Sequence, residues 1–176
     1  MIMNKSDKTK NSVAASLVEM LRTQPLDLIA IKDLCAHAHV GRTAFYHNFT
    51  NKEDVLKYIY RKAHAEVFHD KFKDIHYLYS DDFIHDMILF FDKNSDLLFI
   101  MFKWNLIHMI ARYNTEMSLE YIRQYDDDTI RKYADYFVCY SGVHIFKLCT
   151  LWLLNGKNIS GDELFNVIKY FKKYNA

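Results

Sequence analysis

Apolar side chains recur at helical intervals along most of this chain. Val13, Leu17, Met20 and Leu21 mark a first amphipathic helix, which Pro25 is predicted to end. Ile31, Leu34, Cys35 and Ala38 then fall at i, i+3, i+4 and i+7, with Lys32, Asp33 and His37 facing elsewhere. His39, Val40 and Gly41 interrupt the pattern. Gly41 is expected to supply a tight turn, and Val40 to plug back between two helices. From Arg42 only Phe45 and Phe49 keep the spacing of a buried face, so Arg42, Thr43, Ala44, Tyr46 and His47 are left outside.

Asn51 reads as the N-cap of the next helix, with Glu53 and Asp54 in its first turn and Asp54 at the N3 position of a capping-box-like arrangement. Val55, Leu56, Ile59, Ala63, Val67 and Phe68 can carry this helix from Lys52 to about Asp74, a length of ~34 Å. Further helices are predicted near Asp81 to Lys93, Ser95 to Tyr113, Glu116 to Gln124, Asp127 to Leu154 and Asp162 to Tyr174. Gly156 is placed as the C′ residue of the long one, and Ser160 with Glu163 as the capping box of the last. The expected fold class is all-α.

Two helices joined by a link of three to four residues form the layout of a helix-turn-helix DNA reader. A second helix this short, with two apolar anchors, would not persist for packing alone. Its outer face offers a guanidinium for guanine O6 and N7, a hydroxyl and methyl, a small Ala and a phenol, groups that read major-groove edges and phosphates. Lys52 is anomalous. A cation in a first helical turn opposes the helix dipole, and a phosphate bound by its ammonium and the free backbone N–H groups would account for it.

Leu34-Cys35, Ala38-His39-Val40-Gly41, Phe45-Tyr46-His47-Asn48-Phe49 and Asn51-Lys52-Glu53-Asp54-Val55-Leu56 closely resemble the N-terminal pattern of the tetracycline-repressor (TetR) family of bacterial transcription regulators. The match covers roughly the first 65 residues. The pattern has Ala-Gly-Val-Ser where this chain has Ala38-His39-Val40-Gly41, and two departures lie in or beside the reading helix: the usual Ser at its N-cap is Gly41, and the usual His or Tyr before the last Phe is Asn48. The resemblance implies base reading by Arg42, Thr43 and Ala44, phosphate contacts from Tyr46, Asn48 and Lys52, and support from Lys32, with His47 stacking on sugar or simply solvated. It also implies a helix-turn-helix domain over 1–51, completed by the start of the helix from 52, and a helical regulatory and dimerisation domain over 52–176.

Charge adds to this picture. The formal net charge is only +1, yet residues 1–62 hold ten Lys and Arg against six Asp and Glu, whereas 63–176 hold thirteen against sixteen. The first twelve residues, polar after Met3, do not read as a signal peptide, and no uncharged apolar run approaches the ~18 residues of a membrane span, so a cytoplasmic protein without a membrane partner is expected. Cys35, Cys139 and Cys149 lie in apolar surroundings without metal-ligand spacing and read as reduced thiols; a redox sensor using Cys139 and Cys149 is the alternative. Neither a cofactor nor a catalytic set is called for.

Two stripes near the end of the chain fit either a two-fold interface or ordinary intrachain core: Val143, Phe146, Lys147, Thr150, Leu151 and Leu154, and Leu164, Val167, Ile168 and Phe171. The resemblance favours a homodimer, and so does the logic of a palindromic operator. It further implies a small-molecule effector in the aromatic C-terminal part, where Trp104, His108 and Tyr140 are candidate polar handles if a pocket exists. Two other functions fit less of the sequence. A DNA-binding coactivator controlled by a partner protein would share the reading helix, and a di-metal helical enzyme would use Glu66-x-x-His69 and Asp82-x-x-His85. The expected function is thus an effector-responsive transcription regulator, a repressor by default, bound to double-stranded DNA and without enzymatic activity.

Overall fold

The structure, a computed structural model, describes residues 4–140 and 143–173, without the side chains of residues 5 and 138–140. Among the described residues it is built from α-helices and short 3-10 turns, with no strand, as the all-α expectation has it.

Helix α1 (Lys5–Leu21) starts under Asn4, whose side chain accepts the Asp7 N–H at 2.8 Å. It stops short of Pro25, which opens a 3-10 turn over Leu26–Leu28. Helices α2 (Ile31–His37), α3 (Arg42–Asn48) and α4 (Lys52–Phe68) follow. Asn51 caps α4 by accepting the Asp54 N–H at 2.8 Å, and the Asp54 carboxylate accepts the Thr50 N–H at 2.9 Å, one residue outside the expected box. Helix α4 ends at Phe68 rather than near Asp74, because Asp70 turns left-handed (φ 59°) and leads into 3-10 turns at Lys71–Lys73 and Ile75–Tyr79.

Helix α5 (Asp81–Lys93) has its predicted bounds. The helix expected over Ser95 to Tyr113 is instead two, α6 (Ser95–Lys103) and α7 (Ile107–Ile122), and α7 absorbs most of the separate helix expected near Glu116. Asn105 makes the break: at φ 55° its N–H bonds the Phe102 carbonyl while Leu106 N–H reaches back to Met101, which closes α6 with a Schellman end. The long helix expected from Asp127 is divided too, into α8 (Asp128–Lys132), α9 (Ala134–Tyr140) and α10 (Val143–Leu154), the first break falling where Tyr133 leaves helical angles. Gly156 closes α10 at φ 70°, with Lys157 N–H on the Trp152 carbonyl, as predicted. Helix α11 (Gly161–Lys172) begins under Ser160, which accepts the Glu163 N–H at 3.1 Å; the predicted end at Tyr174 lies outside the described residues.

One apolar core runs through both ends of the fold, from Val13, Leu17 and Phe45 through Leu56 and Phe90 to Cys149, Leu164 and Ile168. Helix α4 joins the two ends. Tyr58 of its first half donates to the Asn11 side chain of α1 at 3.0 Å, and Tyr60 donates to Asn114 of α7 at 2.8 Å. Lys57 with Glu116 (2.5 Å) and Arg61 with Glu120 (3.0 and 2.6 Å) continue the seam between α4 and α7.

Candidate nucleic-acid interface

The α2–α3 unit is built as a helix-turn-helix. Leu34, Cys35 and Ala38 of the first helix and Phe45 and Phe49 at the second are buried, while Lys32, Arg42, Thr43, Tyr46 and His47 are exposed and Ala44 is half-buried. The left-handed residue of the turn is His39 (φ 53°), not Gly41. His39 N–H bonds the Ala36 carbonyl and Val40 N–H the Cys35 carbonyl, so α2 closes on a Schellman end with His at the position where the resembled pattern has Gly. Gly41 has ordinary extended angles (φ −71°, ψ 148°) and serves as the N-cap of α3 without a side chain to bond with. Val40 packs half-buried against the core, as expected.

Two serines of α1, neither singled out from the sequence, hold this unit in place. The Ser12 hydroxyl donates to the Ala38 carbonyl at 2.7 Å, and the Ser6 hydroxyl donates to Asn48 Oδ1 at 2.5 Å. The Asn48 amide in turn donates to the Ala44 carbonyl at 2.7 Å, so both ends of this side chain are engaged within the protein. Lys52 is likewise committed: Nζ donates to the Leu26 carbonyl at 2.7 Å, with the Asp27 carbonyl at 3.5 Å. Its place in the first turn of α4 is explained by those carbonyls and does not require a phosphate. What faces solvent from α3 is a cation beside an aromatic ring, the Arg42 guanidinium lying 6.0 Å from the centre of the Tyr46 ring, which is half exposed.

The two C-terminal stripes do not behave as single faces. Leu164 and Ile168 are buried in the chain's own core; Val143, Phe146, Lys147 and Thr150 line a cavity; Leu151, Leu154 and Phe171 are left about half exposed, together with Tyr170. Val167 is half-buried. The cavity, of about 450 Å³, lies among α4, α5, α7 and α10, under Phe68, Phe72, Phe83 and Phe90. The suggested handles are elsewhere. Trp104 and His108 line a separate hollow beside Leu26 and Glu53, and the Trp104 indole N–H donates to the Leu21 carbonyl at the end of α1 at 2.6 Å. The side chains of Tyr140 and Cys139 lie outside the described residues. Burial pushes the Cys149 thiol up to about 12 and raises Cys35 as well, so neither is a thiolate at neutral pH. His85 of the second metal-like pair stacks on Phe165 at 3.8 Å, and among the described residues no three His, Cys, Asp or Glu side chains gather to hold an ion. No helix of the described residues is long and apolar enough to cross a membrane.

Comparison with known proteins agrees with the geometry of α2 and α3. Residues 15–59 match the family model of bacterial regulatory proteins of the tetR family, a span running from the middle of α1 into α4. The chain is also similar to the HTH-type dhaKLM operon transcriptional activator DhaS of Lactococcus lactis subsp. lactis (strain IL1403), 23% identical over an alignment of 129 residues that covers 68% of each chain. Residues 15–59 thus form a DNA-binding domain of the tetR type, and the chain that carries it is a transcription regulator.

Proposed function

We propose that two copies of this protein bind a two-fold symmetric operator, each inserting α3 into a major groove. The observation that carries this reading is the outward face of α3. Arg42, Thr43 and Tyr46 are exposed, and Arg42 has no carboxylate partner among the described residues, on a helix anchored by Phe45 and Phe49. Arg42, Thr43 and Ala44 read bases, while Tyr46, His47 and Lys32 meet the backbone. Asn48 and Lys52 act one step back, fixing the helix through Ser6 and Leu26. The exposed Leu151, Leu154, Tyr170 and Phe171 supply apolar surface for the second copy. An effector in the cavity changes DNA affinity to the extent that it prefers one arrangement of the heads over another.

Repression is the default sign. That the lactococcal relative is a transcriptional activator favours a second reading, in which the same face holds the protein on DNA while a partner protein controls it. Selection from a random DNA pool tests the common part. The wild-type protein should enrich an inverted repeat, and Arg42→Ala should lose preference at one base pair per half-site, a cost of about 1–3 kcal/mol there. Enrichment of single, asymmetric sites would overturn the dimer. Equal losses on operator and random DNA would overturn the role of Arg42.

A further inference from the structure

The cavity among α4, α5, α7 and α10 has a size within the range of small-molecule sites, and its walls are not uniformly apolar. His64 is 8% exposed and surrounded by the rings of Tyr60, Phe68, Phe72 and Phe90, with no hydrogen-bond partner among the described residues. The Thr150 hydroxyl is fully buried and equally without a partner. Asn114 accepts the Tyr60 hydroxyl through its oxygen, and its amide N–H groups have no acceptor among the described residues. Buried polar groups normally find partners, and the His64 imidazole and Thr150 hydroxyl, with the half-buried Asn114 amide beside them, call for a ligand that completes their hydrogen bonds.

Charge narrows the class. Among the described residues no Asp or Glu lines the cavity, and Lys147 is the one lining residue of fixed charge. Lys147 has no carboxylate partner among the described residues and lies one helical turn before Thr150 on α10, so an ammonium and a hydroxyl project from one side of the helix. Burial pushes the His64 imidazole down to about 4, so it stays neutral at physiological pH and adds no charge of its own. A cationic ligand would find no counter-charge in this cavity, whereas an anion would find one.

We propose that the cavity selects a small apolar monocarboxylic acid, whose hydrocarbon part lies among Phe68, Phe72, Phe83 and Phe90 and whose carboxylate meets Lys147 and the Thr150 hydroxyl. The proposal rests on the reading of this cavity as the effector site and adds its ligand chemistry. It is tested by titrating the full chain, without DNA, with three matched series of aryl compounds (benzoate, cinnamate and 4-phenylbutyrate; their amides; and the corresponding amines), following heat and melting temperature. At least one acid should bind about tenfold more tightly than its amide, the scale of one charge-assisted hydrogen bond, and the amines should not bind. Lys147→Met should bring that acid to the affinity of its amide and leave the amide unchanged, whereas Lys147→Arg should keep the preference. Lys147 is exposed and its loss leaves the core intact, and Thr150→Val gives a second, independent reduction for the acid. Tighter binding of the amines, equal binding of acid and amide, absence of binding throughout, or indifference to Lys147→Met would each overturn the assignment. Adding operator DNA separates the two readings: an acid that binds as stated yet leaves DNA affinity unchanged keeps the ligand class and removes the effector role.

Discussion

The two ends of this molecule use polar groups in opposite ways. Around α2 and α3 nearly every inward polar atom has an internal partner: Ser12 holds the turn, Ser6 and Asn48 hold the end of α3, and Lys52 holds the Leu26 carbonyl. Around the cavity, His64, Thr150 and the Asn114 amide face apolar walls without one. A head that must present Arg42 and Thr43 in a fixed geometry gains from having no freedom. A site that receives a ligand gains from groups whose bonds are completed on binding. Local rigidity and local incompleteness thus mark different tasks within one continuous core.

The largest test of this contrast is a pair of truncations. Phe45→Ala, at a fully buried ring that lines no cavity among those described, should cost about 3–5 kcal/mol and abolish DNA binding; Phe83→Ala, in the cavity wall, should cost less, because its ring borders empty space. Urea unfolding of the two variants measures the difference. Equal costs would mean that the cavity region is packed as tightly as the head.

A smaller effect belongs to His64. Burial holds its pKa in the folded protein down at about 4, whereas in the unfolded chain the imidazole takes a proton near its ordinary 6.5. The unfolded state therefore binds more protons in this window, and stability falls as pH drops through it, by up to about 1.4 kcal/mol per pH unit. His64→Phe should remove that part of the slope in melts between pH 7 and 4. An unchanged slope would show that the imidazole is not held neutral.

The smallest effect sits in the turn. His39 occupies left-handed angles that glycine adopts without penalty, and its side chain is exposed. His39→Gly should raise the stability of the protein by about 0.5–1 kcal/mol, read as a higher denaturation midpoint. A lower midpoint would assign the His39 ring a contact worth more than the backbone strain.

Helix ends show where the sequence was legible. Three helices close by one motif, with His39, Asn105 and Gly156 in turn as the left-handed residue. Only Gly156 announced itself, because glycine has no other common reason to stand there. His39 and Asn105 adopt the same angles at a cost that surrounding contacts offset, and residue type alone does not reveal them. The division at Asn105 was lost for that reason, while α5, with a serine cap and a regular apolar stripe, was read with its full bounds.

The reading face of α3 was legible because apolar spacing stops there: positions that serve no core stand out. The partners of Asn48 and Lys52 were not. One is a serine on another helix, and the other is a backbone carbonyl that any residue could present. The stripe on α10 shows a related limit, since periodicity tells which residues share a face but not what that face meets. Val143, Phe146 and Thr150 meet a cavity of their own chain, whose aromatic lining has the same composition as a filled core.

The contact between Trp104 and the last carbonyl of α1 makes the protein its own optical gauge. The chain has two tryptophans, and the other, Trp152, is fastened to the Ile159 carbonyl within the C-terminal helices. Trp104 lies at the seam between the DNA-reading helices and the rest, with Lys103 Nζ 4.6 Å from the centre of its ring. With Trp152 replaced by phenylalanine, the remaining indole emission comes from that seam alone, so a rearrangement of the heads on ligand or DNA is visible as a change in colour without any label attached.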